Sequence, residues 1–222
     1  MDKNITYVLI HSPLVGPLTW QLVCDEMEQR GIEAITPTLT DHPISTQSYW
    51  QQHAESVAGS LAQIPQDRGI VLVAHSGAGP LLPIIRQSIV HSIKAYIFVD
   101  AGIPRHNSNR LDLMRLQDDQ WAQQFHQTLL QGGQFPTWNE DDLRELISDG
   151  DLRQKMVAEI NPRVLTFFTE LIPVFAGWPD APCAYIKFSA SYDWDFEQAQ
   201  QADWLVHKMK AGHFHMLLTR HL

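Results

Sequence analysis

Apolar runs and helix-period segments alternate along the first hundred residues. Ile5–His11, Ile32–Pro37, Ile70–Ala74 and Ile93–Val99 are short aliphatic stretches bounded by Gly, Pro or Ser, the pattern of buried strands entering turns. Thr19–Arg30 instead repeats apolar residues at helical spacing, with Trp20, Leu22, Val23 and Met27 on one face and Gly31 as a stop. Thr46–Ile64 reads as a second helix, closed by the break at 65–69, and a third runs from Gly77 towards Val90. The run Ile70–Ala74 is continuously aliphatic, as in a strand covered on both faces. This βαβαβαβ order predicts a parallel sheet with helices on both sides.

The rhythm breaks at Ile103. As far as Asp180 the pattern predicts no strand, only helical segments at Leu111–Leu130, Asp141–Ser148 and Leu152–Ile160, with Trp121, Phe125, Phe135, Trp138, Phe167 and Phe168 among the crowded aromatics. Beyond it, Cys183–Ser189 reads as a strand, Phe196–Asp203 as a helix, Trp204–Met209 as a last short strand and the segment from Gly212 as a helix. There is no internal repeat. The expectation is one α/β domain over residues 1–222, with a mostly parallel sheet of about six strands and a helical insertion at 103–180.

With 222 residues, 44% of them hydrophobic and 18% charged, the chain can bury a substantial core. Its net charge of −9 disfavours nucleic acid or an anionic membrane as partner, and leaves a small molecule as the expected one. Oligomeric state is not legible. Cys24 and Cys183 form no CxxC pair, so free thiols in a reducing compartment are expected. The start, MDKNITYVLIH, has no leader pattern and no run reaches membrane-span length, which points to a cytoplasmic protein.

The stretch GIVLVAHSGAGPLLP, residues 69–83, sets Ser76 between a buried strand and a helix, with Ala74, Gly77 and Ala78 around it. Small neighbours permit the sharp strand-to-helix turn of a relaxed G-x-S-x-G nucleophile elbow. A serine of an ordinary βα loop, capping the helix, is the competing reading; the strand before and the helix after favour the nucleophile. A serine nucleophile needs a base. His213, in KMKAGHFHML at 208–217, ends a strand on the same side of the sheet, whereas His215 lies past the turn and more naturally packs. The acid that would orient the imidazole is expected at Asp193, in KFSASYDWDF at 187–196, ahead of Asp195, which suits a helix N-cap, and Asp100, which ends IFVD. His213-x-His215 has no further ligand at suitable spacing, so neither metal nor cofactor is expected.

With these motifs the chain resembles the α/β-hydrolase superfamily over nearly its whole length. The elbow at Ser76, the histidine loop after the first strand ending in Trp20, the acid at Asp193 and the GHFHML ending carry the likeness. It implies a Ser76–Asp193–His213 triad and a helical cap at 103–180. Alanines replace both outer glycines of the elbow, and the histidine–glycine pair after the first strand is His11–Ser12. The family's oxyanion hole takes one N–H from the residue after the nucleophile, here Gly77, and one from the loop after the first strand. By position that second donor falls on Pro13, which has no N–H. Either the N–H of Leu14 takes its place, or the Ser12 hydroxyl does, or the hole is incomplete; Leu14 is preferred, because a backbone donor needs no rotamer to be held.

The function expected is a cofactor-free serine hydrolase of small to medium apolar esters, thioesters or lactones, with Ser12, Pro13, Trp121 and Phe168 contacting substrate. A lyase on the same fold, similar to the plant hydroxynitrile lyases, is the alternative suggested by Ser12, although Phe214 stands where those enzymes place lysine after the histidine. A ligand-binding protein on this fold is the third possibility.

Overall fold

The computed structural model describes residues 4–42 and 45–218. Six strands, β1 (Ile5–Ile10), β2 (Glu33–Ile35), β3 (Gly69–Ser76), β4 (Ile93–Ala101), β5 (Cys183–Lys187) and β6 (Leu205–Lys208), form one sheet in the order β2-β1-β3-β4-β5-β6. Every pairing is parallel. All strand C-termini therefore open onto one edge, where βα loops can converge.

The two-residue period of a strand sorts the core. Ile70, Leu72 and Ala74 of β3 pack on one face with Val8, Ile10, Tyr96, Phe98 and Tyr185, while Val71 and Val73 pack on the other with Leu9, Trp20, Val23 and Met216. Helices α2 (Tyr49–Ser60), α3 (Leu82–Ser88) and α8 (Asp193–Gln201) supply Val57, Leu82, Ile85 and Ala199 to the first layer; α1 (Gln21–Gln29) covers the second with Val23.

Several expected boundaries shift for local reasons. Pro17–Trp20 is a tight 3-10 turn ahead of α1. After β3, another 3-10 turn at Gly79–Leu81 precedes the seven-residue α3; Pro83 has no N–H to bond the Gly79 carbonyl, so no continuous α-helix runs from Gly77. The expected helix Leu111–Leu130 is two helices, α4 (Arg110–Gln117) and α5 (Asp119–Leu130). Asp118 breaks it by adopting extended backbone and accepting the Trp121 N–H as the N-cap of α5. The expected helix at Asp141–Ser148 is a series of turns. Then come α6 (Gly150–Ala158) and the short α7 (Leu165–Thr169), whose Phe167 and Phe168 are buried. In α8 the helix starts at Asp193, ahead of the expected Phe196. The last described element is a 3-10 turn at His215–Leu217; the rest of the helix expected there lies outside the described residues.

Residues 103–180 thus contribute α4–α7 between β4 and β5. Their aromatics pack edge to face, Phe125 against Phe168 at 5.0 Å and Phe167 against Phe168 at 5.1 Å, with Trp121 stacked on Phe125 at 5.0 Å. Among the described residues no helix is long and apolar enough to cross a membrane. Cys24 and Cys183 are free thiols, both half-buried, and burial pushes the Cys183 thiol up to about 12.

Candidate active site

At the C-terminal end of β3 the chain turns sharply on Ser76, whose φ of 57° lies in the left-handed region. A non-glycine residue held there costs about 1–3 kcal/mol, strain characteristic of a nucleophile elbow. The β3–β4 register slips between His75 and Ser76, the Ala78 N–H donates to the His75 carbonyl, and the Gly102 N–H donates to that of Ser76. Small side chains are required because Ala78 is fully buried and the neighbouring Gly79 faces the Gly102 carbonyl so closely that a Cβ would stand 2.1 Å from it.

His213 follows β6 and reaches the same edge of the sheet. Its Nδ1 lies 2.7 Å from Asp100 Oδ2. Asp100, near the end of β4, is fully buried and also accepts hydrogen bonds from the Phe188 N–H (2.8 Å), the Ser189 N–H (3.0 Å) and the Ser189 hydroxyl (2.6 Å). Burial disfavours its charge, but the hydrogen bonds and charge of His213 and the donors of Ser189 prevail, so its pKa lies below the ordinary carboxylate value. The expectation that Asp193 orients His213 is corrected here. The Asp193 side chain is 59% exposed at the start of α8 and is ion-paired to Lys187, and among the described residues the imidazole Nδ1 meets Asp100 instead.

His75 supports this arrangement from beneath. It is fully buried, its ring lies 4.5 Å from that of His213, and its Nε2–H donates to the His213 carbonyl at 3.0 Å. Burial holds its pKa well below the ordinary histidine value, so it fixes the His213 loop as a neutral donor. His215 packs its ring against Phe188 at 5.7 Å, as expected of the competitor.

The loop after β1 is fixed by buried groups. His11 Nδ1–H donates to the Ser12 carbonyl (2.8 Å), and His11 Nε2 accepts the Leu39 N–H (3.1 Å). Burial lowers the pKa of His11 to about 4 and keeps it neutral. From the insertion, Arg163 donates through Nη2 to the Pro13 carbonyl (3.0 Å) and through Nη1 to Asp41 (2.8 Å), while Asp41 also meets His53 Nε2 at 2.8 Å. The Asn161 N–H donates to the Leu14 carbonyl. The Leu14 N–H faces Ser12 Oγ at 3.4 Å, and Ser12 Oγ lies so near Gly77 that a Cβ there would come within 3.2 Å of it. The loop therefore brings the Ser12 hydroxyl beside Gly77 and directs the Leu14 N–H at that hydroxyl.

A cavity of about 710 Å³ opens over these groups. Its floor includes Ser76, Gly77, His213, Pro13 and Leu14; its walls come largely from the insertion and include Met114, Trp121, Trp138 and Phe168. Sequence reading missed Tyr192, whose hydroxyl lies 3.0 Å from Ser76 Oγ and whose ring stacks on His213 at 5.3 Å and 14°. No motif marks it. No direct hydrogen bond joins Ser76 to His213 among the described residues. Nor do the described residues contain a group of three or more His, Cys, Asp or Glu able to hold a metal.

The model of the alpha/beta hydrolase family matches residues 7–220, and the chain belongs to that family. The fold is similar to that of an extracellular alpha/beta-hydrolase from a Paenibacillus species (TM-score 0.75, 19% identity, covering 97% of this chain and 93% of the other), described as sharing structural and functional homology with tobacco salicylic acid binding protein 2. It is also similar to polyneuridine aldehyde esterase (TM-score 0.70, 17% identity, 96% and 93% covered). A pyrethroid hydrolase from Sphingobium faniae JZ-2 is a third such structure (TM-score 0.66, 17% identity, 98% and 93% covered). No curated protein sequence matches the chain.

Proposed function

We propose that the protein is a cofactor-free serine hydrolase of small to medium apolar esters, thioesters or lactones, acting through Ser76, His213 and Asp100. The observation that carries this reading is the hydrogen bond from His213 Nδ1 to buried Asp100, at the same sheet edge as a strained Ser76. The Ser76 hydroxyl loses its proton to His213 Nε2 as Oγ attacks the carbonyl carbon. Asp100 holds the imidazole with Nε2 free and stabilises the imidazolium that forms. The tetrahedral oxyanion is met by the Gly77 N–H and by the Ser12 hydroxyl, which replaces the preferred Leu14 N–H because that N–H is already directed at Ser12 Oγ. His213 returns the proton to the leaving group, and water then cleaves the acyl-enzyme by the same steps in reverse. The apolar walls favour an uncharged acyl group. Similarity to an esterase and a pyrethroid hydrolase supports the class of substrate. Buried Phe214 follows His213, where the lyases place a lysine, which counts against the lyase alternative.

Hydrolysis of a panel of apolar esters by wild type and Ser76→Ala tests the reading. Turnover by the wild type alone supports it; equal turnover by both contradicts it, and ligand binding without turnover by either favours a binding protein.

A further inference from the structure

Tyr192 has no place in the triad, yet it touches both of its reacting members. It closes the 3-10 turn Ala190–Tyr192, three residues beyond Ser189, which with Phe188 supplies the donors that grip Asp100, so the loop that sets the acid also sets the phenol. Its ring is stacked on His213, and its hydroxyl lies 3.0 Å from Ser76 Oγ. Ser12 reaches Gly77, the residue after the nucleophile, from the loop after β1. The phenol thus sits beside the imidazole from which a leaving oxygen must receive its proton.

We propose that Tyr192 is a further catalytic residue, whose O–H donates a hydrogen bond to the leaving oxygen of the ester in the acylation transition state. The proposal rests on the serine-hydrolase reading above. In the free enzyme the phenol is hydrogen-bonded to Ser76 Oγ. When substrate enters, the leaving oxygen replaces Ser76 as its partner, and Oγ turns to His213. The Ser76 proton passes to His213 Nε2, the Oγ–C bond forms, the C–O bond of the leaving group breaks, and the Nε2 proton goes to the departing oxygen. Tyr192 keeps its own proton throughout and only stabilises the charge that gathers on that oxygen. Burial raises the pKa of the phenol, which keeps it a donor.

Such a donor matters in proportion to the charge the leaving oxygen carries. The test compares kcat/KM of wild type and Tyr192→Phe, which keeps the ring on His213, for ethyl and p-nitrophenyl esters of one acid. The expected loss is larger for the ethyl ester, by roughly tenfold or more, because ethoxide depends on the hydrogen bond and p-nitrophenolate does not. Equal losses on both esters would assign Tyr192 a structural role and overturn the proposal. Faster hydrolysis by the variant would make Tyr192 an obstruction and overturn it as well. Should Tyr192→Phe fail to fold, Tyr192→3-fluorotyrosine, which keeps the shape of the side chain and donates more strongly, is expected to move the ester ratio the opposite way, and an unmoved ratio would overturn the proposal. A folded wild type that hydrolyses neither ester overturns the hydrolase reading itself, whereas an active wild type with an unchanged ratio in the variant overturns only the role of Tyr192.

Discussion

Asp100 Oδ2 lies 2.7 Å from His213 Nδ1, joining the end of β4 to the loop after β6. Asp100 therefore stands on the strand next to that of Ser76, since β4 pairs directly with β3. A carboxylate with four hydrogen-bond donors and no exposure is held rigidly, which is what an orienting acid requires.

Asp100→Asn is expected to lower kcat by about 10³–10⁴-fold, because an amide stabilises neither the correct tautomer nor the imidazolium. Asp193→Asn should stay within about threefold of wild type, its partner being Lys187 and not the imidazole. Steady-state kinetics of the pair checks the assignment, and the reverse ranking would restore Asp193.

Ser12→Ala should lower kcat on the order of 10²-fold with little change in KM, the signature of a lost oxyanion donor. Ser12→Thr, which keeps the hydroxyl, should recover most of the rate. A mild effect of Ser12→Ala would return the role to a backbone donor at Leu14.

The two aromatics expected to select substrate differ in what surrounds them. Trp121 is 44% exposed and Phe168 is fully buried in the insertion's aromatic cluster. Trp121→Ala should change the preference between short and long acyl chains at little cost in stability. Phe168→Ala should cost about 3–5 kcal/mol, the usual penalty for emptying an aromatic site in a core. Chain-length profiles and urea unfolding of both variants separate these effects; an unchanged profile in Trp121→Ala would leave the insertion no part in selecting substrate.

Asp195 is buried and accepts the Ile103 N–H at 2.8 Å. Burial, with the charge of Asp100 adding, lifts its pKa to about 7 against the opposing Ile103 hydrogen bond and the Arg105 charge. Between about pH 4 and pH 7 the folded protein keeps a proton that the unfolded chain has lost, so stability from this group falls as pH rises through that window. The total is on the order of 4 kcal/mol. Unfolding free energies across this range should decline less steeply for Asp195→Asn than for wild type. Parallel slopes would show that Asp195 ionises at its ordinary pKa.

The parallel sheet was legible because short apolar runs alternate with helix-period segments and Ile70–Ala74 is continuously aliphatic, the pattern that burial on both faces demands. That Ser76 and His213 meet at one sheet edge was legible because a tight turn requires small neighbours and because Ser76 ends, and His213 follows, a strand of a parallel sheet. The carboxylate that meets His213 was not, because chain order alone favours Asp193, and choosing between it and Asp100 depends on where Lys187 and Ser189 point their donors. Tyr192 was invisible for a related reason: a 3-10 turn, and not a motif, carries its hydroxyl to Ser76. The split between α4 and α5 escaped the helical period because apolar spacing continues across Asp118, whose capping bond ends one helix and starts the next.

The central claim is that Ser76 is an activated nucleophile. Incubation of the folded protein with a fluorophosphonate, followed by mass analysis of the labelled peptide, tests it most directly. The account predicts a covalent phosphonyl adduct on Ser76, formed far more slowly in Asp100→Asn and His213→Ala. A folded wild type left unlabelled at Ser76, or labelled at the same rate in all three proteins, would contradict it.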